Sequence, residues 1–291
     1  MGIFYARIGC QATENQGFRT AWGGVTPMGN NNLQELIDTI FGLYYVTFPM
    51  ADRLPVSITF TDDLNKSHAE LRPDLIEHLK RDNPQSDFNG RMVIPERVGD
   101  QIHILLNNAK VTEYTQDGSM TWVGTIAHEY THALDFDGIA QQDRLDSYSI
   151  IEQGSKYSMF HQWTEYHARK RGYSFLRKFM ELIGRMPEKD VQISHIINTE
   201  APYQTRLFEN WYQNGTPNDR LYCTMQYLGR YSVWMDLFPD VFQKGFLLEL
   251  THKTFWMWDI LKYLREHEEL NQIYGHFDEL KEVLSENWKF E

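Results

Sequence analysis

Hydrophobic positions in the first half of the chain fall into two spacings. Leu33, Leu36, Ile37, Ile40, Phe41 and Tyr44 recur at three- and four-residue intervals. That period predicts an amphipathic helix over residues 33–46, with Asn30-Asn31-Asn32 offering its N-cap. Val56, Ile58 and Phe60 alternate with Ser57 and Thr59, the two-residue period of a strand that Pro55 begins and Thr61-Asp62-Asp63 ends. Residues 64–90 are of mixed polarity, with a short helix expected from Pro73 to Lys80 and a stop at Asp82-Asn83-Pro84. Met92 to Ile94 reads as a short strand. The clearest strand is Gln101 to Asn107, in which Ile102, Ile104 and Leu106 share a face. Residues 1–30 are rich in glycine and polar residues and yield only a short strand or loop near Ile3 to Ile8.

After the turn Gln116-Asp117-Gly118-Ser119, Ser119 or Thr121 caps a further helix. At about 100° per residue, Trp122, Val123, Ile126, Tyr130, Ala133 and Leu134 lie opposite His128, His132 and Asp135. An apolar back and a polar front facing a cleft are expected, with Gly138 ending the helix. Residues 139–157 read as a connection. A long helix follows from about Ser158 to Ile183, with a break near Gly172. Segments near 203–214, 221–236, 246–270 and 276–287 read as aromatic-rich helices. Glu266-His267-Glu268-Glu269 reads as a charged helix surface. The class is α+β: a small mixed sheet packed on the helix that holds His128, then a mainly helical C-terminal half. The division expected is 1–172 and 173–291, the second part completing the cleft.

Composition narrows the function. The 291 residues carry a formal net charge of −12, which repels phosphate backbones and argues against nucleic acid as a partner. Two cysteines, Cys10 and Cys223, form no disulfide framework and suit a reducing compartment. The N-terminus lacks the basic and apolar regions of a secretory signal, and the most apolar run, Phe41 to Ala51, is too short to span a bilayer. The expectation is a cytoplasmic protein without a membrane partner. Oligomeric state is not legible.

The chemistry lies in His128-Glu129-Tyr130-Thr131-His132. On a helix, residues i and i+4 share a face, so His128 and His132 can hold one metal ion, while Glu129 stands beside it as a general base. A catalytic zinc takes three protein ligands. Glu165, 33 residues beyond His132, is the expected third, on a helix face with His161, Ala168 and Gly172. His161, Asp135 and Asp137 are rivals. Asp135 suits a supporting role, accepting a hydrogen bond from a liganding imidazole. Tyr130, Tyr166, His161, His167, His195 and Tyr203 are all candidates to stabilise an oxyanion.

His128-Glu129-x-x-His132 followed by a glutamate on a second helix resembles the gluzincin branch of the zincin metallopeptidases. The block from residue 101 to Glu165 looks like metallopeptidases encoded by phages and prophages. The resemblance implies a zincin-like fold, one Zn²⁺ per chain and hydrolysis of a peptide or protein substrate. It also implies that strand 101–107 is an edge strand whose backbone at His103, Ile104 and Leu105 pairs with extended substrate. Two other readings stay open: a zincin-like binding or regulatory protein without turnover, and a structural zinc site with a fourth protein ligand.

Overall fold

The computed structural model describes residues 30–49, 53–75, 89–251 and 255–287. The expectations for Ile3 to Ile8, for Cys10 and for the helix beyond Leu75 lie outside the described residues. The chain divides into two compact units, Met1–Glu152 with Ser174–Arg185, and Gln153–Tyr173 with Met186–Glu291. The boundary expected at 172/173 falls within one continuous helix, Ser158–Leu182. The class is mixed α+β, mostly helical with a small three-stranded sheet.

The first unit opens with α1 (Asn30–Thr47), then β1 (Val56–Thr61) and α2 (Leu64–Leu71), which Asp63 caps by accepting from Lys66 N. A short 3₁₀ turn, Pro73–Leu75, follows. Next come β2 (Gly90–Val93), β3 (Ile102–Asn107), α3 (Asn108–Gln116) and the motif helix α4 (Thr121–Asp143). The strand order is β1-β3-β2, with β1 parallel and β2 antiparallel to β3. β3 is therefore the central strand, which corrects the expected edge position. Its backbone is paired on both sides, so His103, Ile104 and Leu105 have no free edge to offer a peptide.

All of β3 except His103 is buried. Ile102, Ile104 and Leu106 enter a core with Ile40 and Tyr44 of α1, Tyr114 of α3, and Trp122, Val123, Ile126, Ala127, Tyr130 and Ala133 of α4. Leu105 turns the other way and packs with Leu64 and Val93. Gly90 lets β2 come close: a Cβ there would stand 2.8 Å from Thr125 Cγ2 and 2.9 Å from the Leu105 carbonyl oxygen. α4 is held from α1 by Tyr44 Oη and Thr131 Oγ1 at 2.7 Å and by the Tyr45 and Tyr130 hydroxyls at 2.5 Å.

One expectation for α4 is overturned. The residues of its polar front, His128, Glu129, His132 and Asp135, are as buried as the apolar back. Gly138 does not end the helix. In a helix buried this fully, lost packing decides the terminus more than glycine propensity does. The helix runs to Asp143 and stops at Arg144, whose φ of 55° is the left-handed cap.

A charge cluster built on the buried Arg72 also sits in this unit. Arg72 donates to both oxygens of Asp74, to Glu152 and to the Ile94 carbonyl. Beside it, burial and the positive charges of Arg91 and Arg72 lower His68 to about 3, while burial raises Glu152 to about 6 against the pull of Arg72. The two act oppositely. His68 refuses a proton that the unfolded chain accepts, so its contribution is present above about pH 6.5 and is lost as pH falls toward 3. The contribution of Glu152 is present below about pH 4.5 and is lost as pH rises through 6. Urea unfolding at pH 7.5 and pH 5.0 is expected to cost the wild type about 2 kcal/mol more on acidification than it costs His68→Gln. Equal losses would show that His68 is not held neutral.

α5 (Ser149–Gln153) leads to a 3₁₀ turn at Ser155–Tyr157 and then to α6 (Ser158–Leu182), which Gly172 does not interrupt. In the second unit α6 is followed by α7 (Lys189–His195), a π turn (Ile196–Glu200), α8 (Ala201–Asn214) and α9 (Pro217–Leu237). α10 (Lys244–Leu250), α11 (Phe255–Glu266), α12 (Leu270–Ile273) and α13 (Phe277–Asn287) complete it. Gly229 permits a tight crossing of α9 on α6, since a Cβ there would lie 2.6 Å from the Tyr166 carbonyl oxygen. Glu266 to Glu269 is not one helix surface. α11 ends at Glu266; Glu268 pairs with Lys170 at 2.6 Å, and Glu269 pairs with Arg171 and caps α12. Among the described residues no helix is long and apolar enough to cross a membrane.

Candidate metal centre

On α4, His128 and His132 lie one turn apart, and their Nε2 atoms stand 3.1 Å from each other, with rings at 86°. Glu129, the next residue, projects toward β2, where its Oε2 accepts from the Met92 N–H at 2.8 Å. That bond is possible because of strand pairing. Asn107 N donates to Asn89 O, so Met92, opposite Ile104, occupies a position whose N–H and C=O point away from β3. A backbone N–H on a carboxylate oxygen stabilises the charged form and fixes its direction.

On α6, Glu165 Oε2 accepts from Gln226 Nε2 of α9, and Gln226 Oε1 accepts from Arg169 Nε. Gly229 lies three residues from Gln226, on the same face of α9, and its missing Cβ lets the amide reach Glu165. Gln226 was not singled out in the sequence. A lone glutamine 61 residues from its partner carries no local signature. Arg169, which lies one turn after Glu165, addresses the amide and orients it.

One ligand atom from each of His128, His132 and Glu165 lies within 4.8 Å of the other two, and all three side chains are buried. The donor set fits a divalent transition ion. Two imidazole nitrogens on one tetrahedral zinc, each about 2.0–2.1 Å from it, stand about 3.3 Å apart. The 3.1 Å separation here is close to that value. Two nitrogens and one carboxylate oxygen suit zinc better than magnesium or calcium, which prefer all-oxygen surroundings.

The rival ligands divide. Asp137 accepts from the Tyr148 hydroxyl at 2.6 Å and from Gln141 at 2.5 Å, so it is engaged in tying α4 to the following loop. Burial and that carboxylate push the Tyr148 phenol up. Asp135 is buried one turn beyond His132, and His161 is buried one turn before Glu165, but neither belongs to the cluster of potential ligands among the described residues. His103 is tied to Ser57 Oγ at 2.7 Å and is held below the usual imidazole range by burial.

Several oxyanion candidates serve packing. Tyr130 bonds Tyr45, Tyr166 bonds Ser232 at 3.2 Å, and His167 stacks on Trp163 with centroids 4.7 Å apart. His195 is exposed and Tyr203 is half-buried on the helices that follow.

Gln226→Leu keeps the volume and removes the hydrogen bond that orients Glu165. It is expected to weaken zinc binding about 10- to 100-fold, as read by competition with a chromogenic chelator. Unchanged affinity would mean that Gln226 does not position Glu165. Comparison with protein-family models, with curated proteins and with solved structures finds no match to this chain.

Proposed function

We propose that this chain is a zinc-dependent peptidase of the zincin type, with His128, His132 and Glu165 as zinc ligands and Glu129 as general base. The observation that carries the reading is the convergence of two imidazoles and a carboxylate beside a second carboxylate aimed by a backbone N–H. The cluster counts three potential ligands among the described residues, the number that leaves a catalytic zinc one open position. Zinc in such a site acidifies water and polarises a carbonyl.

The chain's own groups supply the rest. Glu129 receives the proton of the attacking water and delivers it to the leaving amine. Met92 N–H directs the Glu129 carboxylate before substrate arrives. Gln226, braced by Arg169, keeps Glu165 directed and its charge localised. Burial of all three ligands excludes bulk water and strengthens each electrostatic interaction. β2, rather than β3, is the strand for an extended substrate: its outer side carries the Met92 backbone groups next to Glu129. The deciding experiment compares peptide hydrolysis by the zinc-loaded wild type and Glu129→Gln, with metal content measured on both. Equal rates would overturn the reading.

A further inference from the structure

A second set of potential ligands lies in the second unit, well separated in sequence from the first. His267 follows the end of α11, His276 immediately precedes α13, and Glu279 lies in the first turn of α13. The chain returns on itself through α12 and through Gly275, whose φ of 88° suits only glycine without strain. The reversal brings the His267 and His276 rings to 5.2 Å. One ligand atom from each of His267, His276 and Glu279 lies within 4.8 Å of the others. The sequence conceals this grouping, because the second histidine arrives through a turn rather than at helical spacing.

The tautomers favour ligation. His267 Nδ1 lies 3.0 Å from the Tyr263 carbonyl oxygen, which can only accept, so Nδ1 carries the hydrogen. His276 Nδ1 lies 3.0 Å from Glu279 Oε1, about the spacing of two donor atoms on one tetrahedral ion, so an ion shared with Glu279 meets this ring at Nδ1. In the neutral His267 ring the basic lone pair is on Nε2. An Nδ1–H donated to a carbonyl, as in His267, is an arrangement that orients metal-binding histidines. The His267 ring is further fixed by stacking on Tyr263, with centroids 4.3 Å apart.

We propose that His267, His276 and Glu279 form a second divalent transition-metal site, of the zinc class, that fastens the turn between α11 and α13. The two imidazoles select a borderline ion over calcium or magnesium. All three residues are partly or largely exposed, so the site exchanges its ion more readily than the buried centre. It also lies where it can stiffen α6. The His267 carbonyl accepts from Trp163 Nε1 at 3.0 Å, and the next two residues, Glu268 and Glu269, pair with Lys170 and Arg171.

The test is zinc titration of the chelator-treated full chain by calorimetry. Four forms are compared: wild type, His128→Ala/His132→Ala, His267→Gln/His276→Gln, and Glu279→Gln. Circular dichroism checks that each is folded. The expected stoichiometries are two for wild type and one for each double variant. In the His128→Ala/His132→Ala form, excess calcium or magnesium is expected not to displace zinc. Glu279→Gln, a mild surface change, is expected to weaken only the second binding event, by at least about tenfold. A wild-type stoichiometry of one that His128→Ala/His132→Ala abolishes overturns this site and leaves the buried centre standing. A stoichiometry of one that only His267→Gln/His276→Gln abolishes supports this site and overturns the buried one. Two equivalents that persist in His267→Gln/His276→Gln overturn the assignment of residues.

Discussion

Under the proposed function, replacing Glu129 with glutamine is expected to lower kcat for peptide hydrolysis by about 10²- to 10⁴-fold, the range over which a positioned general base contributes. Zinc content at the buried centre is expected to stay at the wild-type level, because Glu129 is not among the three converging ligands. The substitution isolates proton transfer from structure. Glutamine has nearly the volume of glutamate, and its amide oxygen can still accept from Met92 N–H, the bond that Glu129 Oε2 makes at 2.8 Å. The thermal midpoint is therefore expected to stay within a few degrees of wild type. The readout is a fluorogenic peptide library, with metal measured on the same samples. A variant that hydrolyses as fast as wild type removes Glu129 from the chemistry. One that loses metal together with activity makes Glu129 a ligand instead.

His132→Ala has the larger effect on binding. Structural zinc sites with four ligands contribute roughly 10–16 kcal/mol, or roughly 2.5–4 kcal/mol per ligand, so deleting one imidazole is expected to lower affinity by about 10²- to 10³-fold. The loss is also visible as stability. A ligand that binds only the folded state raises stability by RT ln(1 + [L]/Kd), so zinc at about 100 times Kd stabilises the wild type by about 2.7 kcal/mol. The same zinc concentration is expected to leave His132→Ala nearly unmoved at this centre. The measurement is the thermal midpoint with and without zinc in the His267→Gln/His276→Gln background, which silences the exposed cluster. An equal zinc-induced rise in both proteins would place His132 outside the centre. Because His132 is buried, the apo variant also acquires a small cavity, so the comparison is made within each protein rather than between them.

Local spacing made part of this site readable and long-range pairing hid the rest. His128, Glu129 and His132 sit within one helical turn, so their mutual geometry is fixed by the helix itself. Glu165 was legible at one remove, as a carboxylate on a helix far enough downstream for the chain to reverse. Gln226 was not legible, since it reaches Glu165 through the crossing of two helices that only Gly229 makes close. The sheet shows the same limit. The strands themselves follow from alternation, but their order does not. β1 joins β3 across 46 positions, and nothing local sets that neighbour. One signal did favour a central strand: Ile104-Leu105-Leu106 is a run of consecutive apolar residues, and a half-buried edge would alternate. The helix stop failed for a similar reason. Gly138 has the local character of a terminator, but the helix around it is buried along most of its length and continues.

The Met92 N–H is a single donor serving the Glu129 carboxylate from the outer side of β2. A backbone donor cannot satisfy two acceptors at full strength, so a peptide carbonyl arriving at this strand competes with Glu129 for the same hydrogen. Under the proposed function, occupancy of the strand and the direction of the Glu129 carboxylate are then linked through one hydrogen, without movement of any helix.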